Sequence, residues 1–381
     1  MKVLIVPSWY PTEISSISGV FFQEQALALQ ENGLDITVAY PEIRSLKSFK
    51  KFQSKGGIHY ELEKGLKTYR YRGYNYLPRM KGQIRKKFLE WFEVLFNKIV
   101  EEHGKPDIIQ AHSILWGGWA SAQVAKKYNI PLIITEHSSL FTRNLIADSQ
   151  KKYIKEALDI ADEIITVGPT LKEKISEYTA KKIIIIPNSV DMTKFYPEKI
   201  NNKSGMFQFF SLAFLTPNKG MDILIKAFSK AFPDDDEVKL VIGGDGQERN
   251  RLEMLVKELE IESKVKFLGL LTRERTIHEM KKCNSFVLAS KSETFGVVYI
   301  EALACGKPII STRCGGPDMI VNENNGLLVD VDDIEELAAA LKSMVRDYKS
   351  YSEQEIVEDC KNRFSEKAVS KQLISLFEML I

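Results

Sequence analysis

Short runs of β-branched and aliphatic residues recur along almost the whole chain, and most are followed by a stretch whose apolar positions are spaced for a helix. Val3–Val6, Asp35–Ala39, Ile108–Ala111, Leu132–Thr135, Glu163–Val167 and Ile183–Ile186 form one set of predicted strands. A second set is Phe209–Ala213, Lys239–Ile242, Val265–Leu268, Ser285–Leu288, Pro308–Ser311 and Leu327–Val329. Most are apolar at successive rather than alternate positions, as in parallel strands covered on both faces. Between them the spacing predicts amphipathic helices over Phe21–Gln30, Trp116–Lys127, Met221–Phe232, Arg249–Leu259 and Ile334–Met344. Such alternation specifies parallel sheets with right-handed crossovers, hence a doubly wound α/β fold. One sheet rarely carries so many strands, so two sheets of about six each are expected.

The two sets of strands are separated by Pro187-Asn188-Ser189-Val190-Asp191 through Ser204-Gly205, a polar, Pro-containing stretch that reads as a linker. The expected domains are residues 1–187 and 188–364. In the tail, about 365–381, Val369, Leu373, Ile374 and Phe377 share one helix face, which packs either on its own domain or back on the first. Open parallel sheets bind ligands beyond the carboxyl ends of their strands. Two Rossmann-like sheets facing each other would enclose a cleft, a favoured place for a small molecule. The chemistry is therefore sought on the loops that follow strands.

Composition narrows the class without naming a partner. With 44% hydrophobic and 27% charged residues in 381, neither a disordered chain nor a fibrous repeat fits. The 53 basic and 51 acidic residues leave +2, which by itself argues neither for nor against a nucleic-acid partner. No run approaches the ~18 apolar residues of a membrane helix, and Val3–Val6, closed by Pro7, is too short for a secretory core. Cys283, Cys305, Cys314 and Cys360 are widely spaced, with no Cys-x-x-Cys pair. Reduced thiols in a cytoplasm are a better reading than zinc or disulfides.

Several strand-end residues carry chemistry. Gly19 closes the loop after the first strand where a helix opens; it serves either a turn or the close approach of an anion to the helix N-terminus. It belongs to no Gly-x-Gly-x-x-Gly run, and the chain has no Gly-x4-Gly-Lys-Ser/Thr loop. His112 and His137 close two strands of one predicted sheet. Singly each could be structural, but two at equivalent strand ends favour a ligand-facing role. Lys219, in Pro217-Asn218-Lys219-Gly220, precedes a helix, a poor place for a cation unless an anion lies between. Gly243-Gly244-Asp245-Gly246 at the next strand end is a turn or a place for a phosphate or base to approach. In Ser292–Leu303, successive amides at Phe295, Gly296 and Val297 would make an anion site at a helix N-terminus. Glu293 and Glu301 flank it. Carboxylates do not bind anions, but they accept hydrogen bonds from hydroxyls on either side of one. A diphosphate between polyols is a nucleotide sugar.

With these residues in place the chain resembles the family 4 glycosyltransferases of the GT-B fold over nearly its whole length. The Glu-x7-Glu arrangement Glu293…Glu301, Pro308-Ile309-Ile310-Ser311 and Gly315-Gly316-Pro317 carry the resemblance. Gly19-Val20, Thr135-Glu136-His137, Ile186–Asp191, Lys219-Gly220 and Gly244-Asp245-Gly246 support it. The resemblance implies a retaining, metal-independent hexosyltransferase without cofactor. It would use a nucleotide diphosphate sugar as donor and a glycan or lipid-linked saccharide as acceptor, in cell-surface polysaccharide biosynthesis. Residues 1–187 would be the acceptor side and 188–364 the donor side. The resemblance assigns Glu293 to donor-sugar hydroxyls with the amides of Phe295, Gly296 and Val297, and Glu301 to the ribose. Lys219 would neutralise the departing diphosphate, with Gly19 closing over it, and His137 would lie beside the reacting carbon. Gly244 and the Val265–Leu270 stretch, Leu268 included, would contact the donor, and His112 and Arg143 fall on the acceptor side. One departure stands out: such families usually carry an arginine five residues before the lysine, and here that position is Phe214. Arg273 and Arg313 are the substitutes considered. A nucleotide-sugar epimerase and a silent sugar-nucleotide binder are the alternatives.

Charge is unevenly distributed. Arg44 to Lys87 holds fourteen Lys/Arg against Glu61 and Glu63, a local 14 − 2 = +12, with Tyr69, Tyr71, Tyr74 and Tyr76 among them. Three readings compete: a solvated loop and helix with aromatics in the core, a nucleic-acid surface, or docking of residues 44–100 on an anionic membrane. The acceptor class favours the third, which would place the protein peripherally on the inner face of the plasma membrane.

Overall fold

The near-continuous apolar runs become the interiors of two sheets. The computed structural model describes residues 1–15, 18–46, 51, 54–76, 81–198 and 205–381, the side chains of 81–82 excepted. The chain divides into two units, Met1–Pro187 with Val369–Ile381, and Asn188–Ala368.

The first unit carries β1 (Lys2–Pro7), β2 (Asp35–Ser45), β3 (Gly57–Glu63), β4 (Leu66–Asn75), β5 (Ile108–His112), β6 (Leu132–Glu136), β7 (Glu163–Thr166) and β8 (Ile183–Ile185). They lie in the order β3-β4-β2-β1-β5-β6-β7-β8, with only β3 antiparallel to its neighbour. Leu4 of the central strand pairs with Thr37 on one side and Ile109 on the other, and Leu4, Ile5, Ile36 and Ile109 are fully buried. Strands enclosed in this way must be apolar at every position, which explains the runs read from the sequence.

The second unit carries β9 (Phe207–Leu212), β10 (Val238–Gly243), β11 (Val265–Gly269), β12 (Ser285–Leu288), β13 (Ile309–Thr312) and β14 (Gly326–Val329). Their order is β11-β10-β9-β12-β13-β14, all parallel. Strand order reverses between β9 and β12, and in the first sheet between β1 and β5. Those reversals are the switch points where crevices open at the carboxyl ends of strands.

Three features differ from the sequence reading. The pair β3–β4 was not expected, because its Lys, Arg and Tyr residues obscure any apolar pattern. The predicted helix from Trp116 begins at Trp119, after a wide turn over Ile114–Gly118 in which the Gly118 amide reaches back to the Ser113 carbonyl at 2.9 Å. The stretch read as a linker is partly packed in the second unit: Val190 pairs with Ser365, and Phe195 is fully buried. Its residues 199–204 lie outside the described residues.

The last helix, Glu366–Glu378, returns to the first unit. Its Val369, Leu373, Leu376 and Phe377 enter the cluster formed by Tyr10, Phe22, Leu29, Ile36 and Val38.

Candidate functional site

At the switch point of the second sheet, the loops after β9 and β12 lie directly on each other. Gly220 ends the β9 loop with φ 58°, and a Cβ there would sit 1.9 Å from the Ala289 carbonyl oxygen, so only glycine permits this approach. Asn218 Nδ2 donates to the Ser292 carbonyl at 2.9 Å, and the Lys291 amide donates back to the Asn218 carbonyl at 2.8 Å. Thus positioned, Lys219 Nζ donates to Glu293 Oε1 at 2.5 Å, and Ser290 Oγ donates to the same oxygen at 2.8 Å. Lys219 precedes the helix Met221–Ala231, whose N-terminus repels a cation; the Glu293 carboxylate offsets that cost.

The Glu293 backbone is clamped on its other side. Its amide donates to the Cys314 carbonyl at 3.1 Å, and its carbonyl accepts from the Gly316 amide at 2.9 Å. A Cβ on Gly316 would come within 2.4 Å of the Phe295 backbone. Gly296 caps the helix Val297–Ala304 at φ 94°, and the Phe295 ring packs against Phe364. The amides of Phe295, Gly296 and Val297 donate to no acceptor among the described residues. N–H groups left open at a helix start are the kind of donors that can take an anion.

Glu301, on the same helix, is buried and accepts from Arg273 Nη1 at 2.5 Å. The Arg273 guanidinium in turn lies 4.7 Å from the Phe195 ring centroid. Burying a carboxylate without such a partner is costly. At the end of β10, the Gly244 amide donates to the Gly269 carbonyl at 2.8 Å. Leu268 is half-buried on the adjacent strand β11, next to Phe267, over which Arg249 stacks at 4.8 Å.

In the first unit, the ends of β5 and β6 bring the two histidines together. His112 Nδ1 and His137 Nε2 are 3.1 Å apart, and Phe22 stacks on His112 at 4.5 Å and meets His137 edge-on at 4.9 Å. Burial pushes the His112 imidazole down to about 3, so it is neutral. Glu136 is fully buried and accepts the amides of Ile114 (2.7 Å), His137 (2.8 Å) and Ser138 (2.6 Å). Its pKa is raised by burial, against which those backbone donors act. This carboxylate sets the course of the backbone on which His137 is mounted. Gly19 caps the helix Val20–Glu31 at φ 72°. Arg143 follows the short helix Ser139–Thr142 and is exposed.

The family described as Glycosyltransferase Family 4 matches residues 18–194, and the one described as Glycosyl transferases group 1 matches residues 192–363. An uncharacterized glycosyltransferase of Methanocaldococcus jannaschii is 32% identical over 250 residues, 65% of this chain and 67% of that one. The chain belongs to glycosyltransferase family 4. A Bacillus subtilis glycosyltransferase named for teichuronic acid biosynthesis is 27% identical over 365 residues, 90% of this chain and 88% of that one. The crystal structure of Anabaena HepE in complex with UDP superposes with a TM-score of 0.75 at 20% identity, covering 100% of both chains. The fold of this glycosyltransferase is thus GT-B, built from two Rossmann-like units.

Some expectations for the glycosyltransferase need correction. Neither arginine considered in place of the residue at Phe214 is uncommitted. Arg273 pairs with Glu301, and Arg313 lies 3.2 Å from Asp330 and 3.5 Å from Glu336. Phe214 itself is exposed. The basic stretch is not a continuous outward face, because Arg44, Arg70, Arg72 and Arg85 are only 2%, 3%, 7% and 5% exposed. Glu42 accepts from Arg44 at 2.7 Å, Arg70 at 3.2 Å and Arg72 at 3.4 Å; Glu63 holds Arg70, and Glu61 holds Arg72. Arg85 lies 3.7 Å over the Tyr153 ring. These four cations cannot face a membrane or a nucleic acid. Lys47, Lys50 and Arg79 lie outside the described residues. No helix among the described residues is long and apolar enough to cross a membrane.

The sequence reading missed Ser290 and Asn218, which seat Glu293, and gave Glu136 no role of its own. Glu136 had a readable signal: an acid ending a fully apolar strand needs several donors, and a strand-end turn supplies them.

Proposed function

We propose that this glycosyltransferase moves a hexosyl unit from a nucleoside diphosphate sugar to a saccharide or lipid-linked saccharide acceptor, with retention, in the assembly of cell-surface polysaccharide or glycolipid. The observation that carries the reading is the Lys219–Glu293 pair beside the amides of Phe295, Gly296 and Val297. The UDP in the HepE crystal and the teichuronic acid name of the Bacillus relative support the donor and acceptor classes.

Each group has a task in this reading. Breaking the bond between the anomeric carbon and the phosphate oxygen leaves negative charge on the diphosphate. Lys219 and the helix-start amides neutralise that charge from fixed positions, so the reading calls for no divalent ion. Glu293 accepts hydrogen bonds from donor-sugar hydroxyls, and Glu301, paired with Arg273, accepts them from the ribose. The acceptor oxygen bonds to the anomeric carbon on the face the diphosphate leaves, and its proton passes to the diphosphate.

A melting panel with UDP, GDP and ADP sugars, followed by acceptor-dependent release of nucleoside diphosphate, tests the reading. Lys219→Met and Glu293→Gln remove charge with little change of shape. Each is expected to lower turnover about 10²-fold, the scale of losing one preorganised group at a developing charge. Unchanged turnover in either variant would remove that residue from the mechanism. Stabilisation by a donor without release under any acceptor would favour the silent binder that Phe214 suggests, and no stabilisation by any donor would end the reading.

A further inference from the structure

The first unit contains a cavity of about 360 Å³, within the range of small-molecule pockets, that no step above uses. It opens at the carboxyl end of the sheet. Ser8 borders it just after β1, Tyr40, Pro41 and Ile43 to Leu46 of β2 and its end line one wall, and Asn75 ends β4 there. Ile84 and Phe88 of the helix Lys81–His103 and Trp116 of the wide turn after β5 complete the lining.

Among the described residues, its lining offers little to an anion. Arg44, the charged side chain among the described lining residues, is committed: Nε donates to Glu42 at 2.7 Å, Nη1 to the Ser54 carbonyl at 2.8 Å and Nη2 to Ser54 Oγ at 2.5 Å. A guanidinium so neutralised adds little attraction for phosphate. What remains is mainly apolar: Ile43, Leu46, Ile84, Phe88 and Trp116, the last two with ring centroids 6.4 Å apart. Most of the lining surface is apolar, so an apolar occupant gains by displacing water from it.

Its position ties it to the histidine strand ends. The Ser8 hydroxyl, which borders the cavity, donates to the His112 carbonyl at 2.8 Å and accepts from the Gly117 amide at 2.8 Å. The cavity is therefore one hydroxyl from the strand that ends in His112.

We infer that this cavity binds the non-sugar, aliphatic or aromatic, part of an amphipathic acceptor, leaving its saccharide towards the His112 strand end. The acceptor assignment rests on the transferase reading above; the apolar binding site does not.

The full chain tests this with n-octyl glucoside, below its micellar concentration, and methyl glucoside as probes, by titration calorimetry. Octyl glucoside should bind at least tenfold more tightly than methyl glucoside. Ile84→Trp, which fills the cavity from a half-buried position, should reduce octyl glucoside affinity at least tenfold. Ile84→Leu, similar in volume, should keep it. UDP stabilisation, read on the same samples, should be unchanged in both variants. Equal affinity for the two glycosides would make the cavity a saccharide subsite and overturn the inference, as would octyl glucoside binding that Ile84→Trp leaves intact. Loss of UDP binding in the wild type with octyl glucoside binding retained would count against the transferase reading alone.

Discussion

Two buried titratable groups of the first unit pull stability in opposite directions with pH. The His112 imidazole is held neutral down to about 3 by burial, whereas in an unfolded chain it protonates near ~6.5. Between those values the unfolded chain binds a proton the native chain does not, so His112 makes stability fall as pH drops, by up to ~1.4 kcal/mol per pH unit. The Glu136 carboxyl is raised from 4.5 by burial, so the native chain holds its proton more readily. That contribution weakens the fold as pH rises. Wild-type melting mixes the two, but the difference from His112→Asn isolates the imidazole. Whatever the variant loses in absolute stability, its denaturant-derived unfolding free energy should decline less steeply than that of wild type from pH 6.5 to 5. Parallel slopes would show that His112 is not the buried neutral group described here.

At the scale of elements, the second unit depends on two loops that only a glycine allows to touch. Gly220→Ala would place a methyl group 1.9 Å from the Ala289 carbonyl at a φ of 58°, which side chains rarely adopt. Backbone strain of about 1–3 kcal/mol is expected, and the two loops must separate to relieve it. Lys219 then withdraws from Glu293, so the variant should lose both thermal stability and donor stabilisation. A variant that melts lower yet binds donors normally would show that the contact serves folding alone. The same loops show what a sequence can disclose. Enclosed strands such as β1, β5 and β12 were legible because burial on both faces demands apolar residues in succession. β3 and β4 were not, since Arg70 and Arg72 are buried by pairing with Glu42, Glu61 and Glu63 rather than by being apolar. Lys219 and Glu293 could each be assigned to a strand-end loop, but their contact spans 74 positions and follows from the order of strands, not from local pattern. Arg273 was weighed only as a phosphate ligand, because nothing in its neighbourhood in the chain announces Glu301.

For the whole molecule, the first unit is completed by the last residues of the chain. Its central strands come from the first third of the sequence, yet Val369, Leu373, Leu376 and Phe377 of the final helix belong to the same apolar cluster, each no more than 4% exposed. Burying such a side chain contributes about 1.5–3 kcal/mol, so the four together reach about 6–12 kcal/mol as an upper bound. A domain as a whole is stable by about 5–15 kcal/mol. Removing Val369–Ile381 should therefore unfold the first unit, while the second, Asn188–Ala368, keeps every residue of its own sheet. Hydrogen exchange read by mass spectrometry separates these outcomes. Peptides from β1 and β5 should lose protection in the truncated chain, and those from β9 and β12 should retain it. Full protection of β1 without the helix would mean that the cluster closes without it. Loss of protection in both sheets would mean that the two units fold as one, although each has a separate sheet. The expected, one-sided result has a consequence for synthesis: the first unit, although made first, reaches its full stability only after the second has been made.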